Sequence, residues 1–486
     1  MLNLKSYQEI YKSLDNYYGN KEKNTWSNNF HIEMPFGLIN DPNGLSYYDN
    51  KFHIFYQWNP FGCDHKTKHW GVVTTNDFLN FSKPKLILKP DEWFDKDGCY
   101  SGSGLVGNNE LRLYYTGNVR GENGERESYQ CLAIYNEEGK VEKKGVVIEK
   151  QPEGYTAHFR DPYIFSENNV YYMILGVQNE ELKGRVLIYS SKDSLKWELL
   201  GELKTTMEDF GYMWECPNMV KLKDDKYAFI FSPQGLKKDE YKNQNLYQSG
   251  YVIGNLKLDK CEFEDHSEFK ELDRGFDFYA PQVFNHDGKN IMIGWIGMPD
   301  KGEDYPTERY GWKHSLTIPR VLTYKDEVLY QEPIEDMKNL RKEKIVSISN
   351  LSCKEQVMNF HKCGIEIKLN LELKKSSNVY IRFKFNDEYI LLTYNKENEV
   401  CKIDRSNMNF GGKGIRRFKL KTSEELKLNV FIDNSIMEIF FQDGEEVTTF
   451  VYFPKEEKLE LQISDGIETK INELNVWSLR GIEYEK

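Results

Sequence analysis

Five segments of this chain read alike, and the repeat constrains the fold more than any other feature. They span residues 40–58 (NDPNGLSYYDNKFHIFYQW), 99–117 (CYSGSGLVGNNELRLYYTG), 160–176 (RDPYIFSENNVYYMILG), 215–232 (ECPNMVKLKDDKYAFIFS) and 279–295 (YAPQVFNHDGKNIMIGW). Each opens on a short polar motif, runs into an apolar strand, turns on Asn, Asp or Gly, and returns as a strand of β-branched and aromatic residues. That is a β-hairpin pattern five times over. With Asp41, Ser101, Asp161, Glu215 and Ala280 taken as equivalent points, the offsets are 60, 60, 54 and 65 residues. A unit of this length leaves room for two further strands, and 68–75, 130–135, 185–190 and 250–256 supply candidates. Four-stranded units repeated radially make a β-propeller. The expected fold is therefore all-β: a five-bladed propeller over residues 26–330, its five polar motifs converging on one funnel.

The rest of the chain reads differently. Residues 346–486 hold short strand-like runs (379–385, 389–394, 428–431, 437–441, 447–453, 459–463) separated by turn pairs such as Asn386-Asp387 and Asp443-Gly444. This is the pattern of a C-terminal β-sandwich. Residues 331–345 are charged and read as a partly helical linker. Residues 1–25 read as a short amphipathic helix (Leu4, Tyr7, Ile10, Tyr11, Leu14) docked on the outside.

Charge sorts the same way. The chain carries 65 Lys and Arg against 77 Asp and Glu, a net −12. Residues 341–486 hold 24 of each sign, so the excess lies wholly in the first 340 residues. An acidic domain argues against a nucleic-acid binder that works by neutralising phosphates. No apolar run approaches a bilayer span, and the first twenty residues lack the apolar core of a secretory signal. A cytoplasmic protein with no membrane partner is expected. The eight cysteines (63, 99, 131, 216, 261, 353, 363 and 401) follow no metal-ligand spacing and read as free thiols. No metal or organic cofactor is implied, and a homo-oligomer is compatible with the sequence.

Three of the repeat heads carry a carboxylate: Asp41, Asp161 and Glu215. Each sits among apolar or aromatic neighbours rather than in a charged turn. Asp-Pro and Pro-Asn-Gly are turn formers on their own, but three carboxylates in neighbouring repeats would meet near one axis. Burial and mutual repulsion should then raise the pKa of one of them, so that it keeps its proton. A protonated and an ionised carboxyl side by side are what glycoside hydrolysis requires.

The ordered motifs resemble glycoside hydrolase family 32, the invertases, sucrose-6-phosphate hydrolases and fructanases. They are Asn40-Asp41-Pro42-Asn43-Gly44, Phe55-Tyr56-Gln57-Trp58-Asn59-Pro60, Lys68-His69-Trp70-Gly71, Tyr100-Ser101-Gly102-Ser103, Arg160-Asp161-Pro162, Trp214-Glu215-Cys216-Pro217 and Leu316-Thr317-Ile318-Pro319-Arg320. A weaker likeness continues through 431–440. The family fold is a five-bladed propeller followed by a β-sandwich. The resemblance implies a retaining mechanism, with Asp41 as nucleophile, Glu215 as general acid/base and Asp161 as transition-state stabiliser. It places Asn40, Gln57, Ser101 and Gly102 along a fructose pocket. Arg160 would keep Asp161 ionised. Trp70 and Trp295, with Trp58, Phe94 and Tyr279, are candidates for apolar walls. The chain departs from the family at residues 61–66 (FGCDHK), where a Trp-Gly pair is common, at Val72, where His is common, and at Met34, where a Pro is common.

The expected partner is a small sugar, and the expected reaction is hydrolysis of sucrose-6-phosphate or sucrose. An exo-acting fructan β-fructosidase is the alternative. A non-catalytic carbohydrate-binding propeller and an inverting glycosidase acting on arabinose or xylose polymers are the readings from other classes. A phosphate entering an acidic domain needs local cations, and Arg120, Lys66, Lys68, Arg274 and Lys313 lie near or between the motifs.

Overall fold

Each repeated segment forms an antiparallel hairpin, and each hairpin opens its own sheet. The computed structural model describes residues 6–20, 24–107, 109–223, 225–302, 304–361, 364–374 and 377–485. Four of the sheets are blade-like, with four or five strands each, and start at Cys99–Gly107, Tyr155–Glu167, Met213–Lys221 and Tyr279–His286. The first repeat departs from this pattern. Its strands Gly37–Tyr48, Lys51–Asn59 and His69–Thr75 lie inside a seven-stranded sheet. Trp312–Lys313 adds in parallel to Gly37–Tyr48, and the C-terminal Glu483–Tyr484 adds in parallel to Asn80–Phe81. The array is thus propeller-like, with four blade-like sheets where a five-bladed propeller was expected, and the first repeat lies in the larger seven-stranded sheet. The physical reason lies in the edges of that first sheet: unpaired N–H and C=O groups there are satisfied by strands from distant parts of the chain. The five opening strands pack side by side in chain order, and Tyr279–His286 returns against Gly37–Tyr48.

Every opening strand carries a β-bulge at the same place. Two residues face one on the partner strand: Asn40 and Asp41, Tyr100 and Ser101, Asp161 and Pro162, Cys216 and Pro217, Ala280 and Pro281. Asp161, Cys216 and Ala280 take left-handed φ angles of 63°, 47° and 47°. The proline that follows each of them has no N–H to lose from the ladder. The bulges correct the alignment of the repeats read from sequence. The matching residues are Ile39, Cys99, Arg160, Glu215 and Tyr279. The carboxylates therefore stand at three successive positions: Glu215 just before its bulge, Asp161 first within it and Asp41 second.

Beyond Val328–Pro333, the outer strand of the last blade, the chain makes a 3-10 helix at Glu335–Leu340 and enters the long strand Arg341–Phe360. The expected helical stretch is thus a short 3-10 helix of six residues. Ten strands from Arg341 onward form one continuous, sandwich-like sheet around an apolar core. Leu459–Leu479 joins its layers, pairing with Asn378–Phe385 through its first part and Ile365–Glu372 through its last. The helix Tyr7–Asn20 buries Ile10, Leu14 and Tyr18 against the first sheet and the C-terminal strand. Leu4 lies outside the described residues. Among the described residues, no helix is long and apolar enough to cross a membrane, and seven cysteines are free thiols. Cys363 lies outside the described residues.

Candidate active site

The bulges turn their side chains toward one axis. A single small cavity there is lined by residues of all five opening strands, among them Asn43, Ser101, Asp161, Cys216 and Ala280. Asp41 accepts hydrogen bonds from Asn40 Nδ2 at 2.9 Å and Ser101 Oγ at 2.5 Å. Asp161 Oδ2 accepts from the Cys216 backbone N–H at 3.0 Å, and Thr116 Oγ1 accepts from the Asp161 N–H. The Cys216 thiol spans the two aspartates, 3.9 Å from Asp41 Oδ2 and 3.8 Å from Asp161 Oδ2. Glu215 is the most heavily held of the three. Its Oε1 accepts from Arg160 at 2.8 and 3.1 Å, and its Oε2 from Tyr279 Oη at 2.7 Å and Gln234 Nε2 at 2.8 Å.

Electrostatics follow from this crowding. Burial raises the pKa of Asp41 above the usual aspartate value, against the opposing pull of Ser101, Asn40 and Lys68. Burial also raises Asp161; Arg160 opposes this, while the negative charges of Glu215 and Asp41 reinforce it. Both aspartates are thus pushed toward their neutral forms, where the sequence led to the expectation of one such carboxyl. Arg160 acts on both acids. Its Nε and Nη2 donate to Glu215 and its Nη1 lies 2.8 Å from His158 Nδ1, while its Nε, 4.0 Å from Asp161 Oδ2, forms the ion pair whose charge favours ionised Asp161.

Asn40 and Gln57 join this group, since Asn40 Nδ2 donates to Gln57 Oε1 at 2.5 Å. Lys68 Nζ donates to Asn40 Oδ1 at 2.6 Å and lies 2.9 Å from His65 Nδ1. Burial lowers the Lys68 pKa to about 7, although Asp41 and Asp64 favour its charge. Gly102 borders the axial cavity, and its carbonyl accepts from Gln282 Nε2 at 2.8 Å.

The aromatic candidates divide. Tyr279 bonds Glu215, and Trp295 packs edge-on to it at 6.2 Å. The Trp295 indole N–H has no hydrogen-bond partner among the described residues. Trp70 and Phe94 are buried in the core between the first two sheets, and Trp70 Nε1 donates to the Tyr100 carbonyl. Trp58 is buried elsewhere and donates to the Phe36 carbonyl. These three side chains are buried core groups.

Most of the basic candidates are already engaged. Lys66 pairs with Asp64, Lys313 with Glu308, and Arg274 with Glu271 and Glu446. Several site residues were not singled out in the sequence: His65, His158, Thr116 and Gln234. His65 lies in the stretch that departs from the family pattern, in a T-shaped contact with Trp295 at 5.5 Å.

Comparison with known proteins agrees with this geometry. The model for the glycosyl hydrolases family 32 N-terminal domain matches residues 31–333, and that for the family 32 C-terminal domain matches residues 336–478. A curated relative, the sucrose-6-phosphate hydrolase of Bacillus subtilis (strain 168), is 39% identical over 457 residues, covering 93% of each chain. The structure of sucrose-6-phosphate hydrolase from Lactobacillus gasseri superposes with a TM-score of 0.87 at 32% identity, covering 98% of each chain. A Bombyx mori GH32 β-fructofuranosidase, solved as a mutant in complex with sucrose, superposes at 0.86 with 28% identity and 99% coverage of each chain. Matched along nearly its whole length, the chain belongs to glycosyl hydrolase family 32.

Proposed function

We propose that the protein is a retaining β-fructofuranosidase that hydrolyses sucrose-6-phosphate or sucrose. The observation that carries this reading is the meeting of Asp41, Asp161 and Glu215, close enough to act on one another's charge and each held by its own donors. In the first step an Asp41 oxygen attacks the anomeric C2 of the fructosyl unit. The bond from C2 to the glycosidic oxygen breaks as Glu215 gives that oxygen a proton. In the second step Glu215 takes a proton from water, the water oxygen attacks C2, and the Asp41 ester opens to release fructose. Asp161 accepts hydrogen bonds from fructose hydroxyls as positive charge grows on the ring. Asn40, Gln57 and Ser101 orient the sugar, Arg160 positions Glu215, and Trp295 offers an apolar face.

The names of the Bacillus subtilis and Lactobacillus gasseri relatives support the phosphorylated disaccharide. Such a substrate is met inside the cell, which favours a cytoplasmic enzyme. The seven-stranded sheet serves as the fifth blade; the return of Tyr279–His286 against Gly37–Tyr48 supports this. The domains run 1–25, 26–330, 331–345 and 346–486, as helical extension, propeller, linker and sandwich.

The test is steady-state kinetics of Glu215→Gln and Asp41→Asn on sucrose, sucrose-6-phosphate and inulin. Each variant is expected to lose at least about 10³-fold in kcat/KM, the scale of lost acid/base or nucleophilic catalysis. NMR is expected to show the β-anomer as the first-formed fructofuranose. Undiminished hydrolysis by both variants, or net inversion, would sink the double displacement. Faster turnover of inulin than of either disaccharide would favour the fructan reading.

A further inference from the structure

A set of cations beside Glu215 takes no part in that chemistry. Arg120 and Arg126 face each other directly across the antiparallel ladder of the second sheet. Like charges in that relation destabilise a hairpin unless an anion lies between them. Among the described residues neither guanidinium makes an ion pair with a carboxylate. Arg126 instead reaches His158 Nδ1 at 3.4 Å, the same nitrogen that Arg160 engages at 2.8 Å. His158 cannot serve as a counter-ion. Burial first, then the charges of Arg160 and Arg126, hold its pKa down near 4, so the ring is neutral. Arg126, His158, Arg160 and Glu215 thus form a row, and Arg160 already takes up Glu215 with two hydrogen bonds. Arg126 is half-buried. An uncompensated, partly desolvated cation is costly to maintain, more so beside a second arginine. In a domain whose net charge is −12 it is also conspicuous.

The location selects the ligand. Glu215 protonates the glycosidic oxygen, so the leaving half of the substrate lies on its side of the site. Lys68 lies on the other side, bound to Asn40 next to Asp41. In sucrose-6-phosphate the phosphate is carried by the glucose, the half that leaves. We propose that Arg126, with Arg120 opposite it, binds the phosphate of the leaving glucose 6-phosphate unit and sets the preference for the phosphorylated disaccharide. This rests on the β-fructofuranosidase reading with Glu215 as proton donor. Guanidinium groups suit the role because their paired N–H donors match phosphate oxygens.

The experiment compares the wild-type enzyme with Arg126→Ala, Arg126→Lys and Arg120→Ala. Arg126→Ala is expected to lose about 10- to 100-fold in kcat/KM on sucrose-6-phosphate, mostly through KM, while sucrose changes less than about threefold, as expected for lost charge-assisted binding. Arg126→Lys should recover part of the loss, and Arg120→Ala should show a smaller effect of the same kind. Competitive inhibition by glucose 6-phosphate should weaken about tenfold or more in Arg126→Ala, again the scale of one charge-assisted contact. Equal losses on both substrates, or unchanged inhibition by glucose 6-phosphate, would overturn the proposal. A wild-type enzyme that cleaves sucrose but not its 6-phosphate would instead overturn the substrate reading, and the inhibition series would still decide the anion site. Thermal unfolding of each variant separates a folding defect from a binding one.

Discussion

At the scale of single residues, the site works by setting burial against a few placed donors. Asp41 must be ionised to attack, yet burial favours its neutral form. Lys68 offsets part of that cost through its charge and holds Asn40, which in turn donates to Asp41. The acid limb of kcat/KM is therefore expected above the pH of an ordinary aspartate, about 4. Lys68→Met should move that limb further up, because the charge that favours ionised Asp41 is gone. pH–rate profiles of the two proteins check this, and coincident acid limbs would remove Lys68 from the account. The identities of the three carboxylates were legible in the sequence, since an acidic residue among apolar neighbours is unusual. The hydrogen-bond partner of Arg160 was not. Adjacency in sequence pointed to Asp161, and the fold adds Glu215, from a strand 55 positions on, as the acceptor of its hydrogen bonds.

At the scale of elements, the bulge is the device that builds the site. A regular strand alternates its side chains between two faces, so a carboxylate one position out of place would point into a blade. The extra residue in each opening strand lets Glu215, Asp161 and Asp41 converge from three successive positions. Close packing between strands fixes this geometry. A methyl group on Gly102 would lie 1.8 Å from the Tyr114 carbonyl oxygen, and backbone on both strands would have to move. Gly102→Ala is expected to destabilise the protein by about 1–3 kcal/mol, the range for overpacking. It should also lower kcat, because Ser101 would be carried off Asp41. Urea unfolding and sucrose kinetics check both effects, and an unchanged kcat in a destabilised variant would separate Gly102 from the site. The hairpins themselves were legible, because alternation and turn residues are local signals. The bulges were not, because one added residue leaves the alternation on either side intact.

At the scale of the whole molecule, a buried ionic network ties the sandwich to the propeller. His31 lies 2.9 Å from Asp433 and 3.0 Å from Glu438, and Arg320 joins Glu438 to Asp273. Burial alone would lower the His31 pKa, but the two carboxylates raise it to about 9. Its unfolded value is about 6.5. A raised folded pKa means that His31 stabilises the fold fully below about pH 6.5 and loses that contribution as pH rises through about 9. His31→Gln is expected to cost about 3–5 kcal/mol near pH 6, the penalty for leaving buried charges unpaired. Urea unfolding at pH 6 and pH 10 checks this: the wild type should lose stability across the interval, and the variant should show a flatter dependence. The sequence alone determined the β class, the five hairpins, the change of character near residue 340 and the three carboxylates, because these rest on local periodicity, turn chemistry and composition. Tertiary structure alone decided which hydrogen bonds each carboxylate receives, that Trp70 and Phe94 belong to the core, and that Arg126 stands without a carboxylate beside Glu215. Those outcomes depend on strand register, and on a ring closure that brings Tyr279–His286 against Gly37–Tyr48, about 240 positions away. A shift of one residue there turns a side chain from the site into the core.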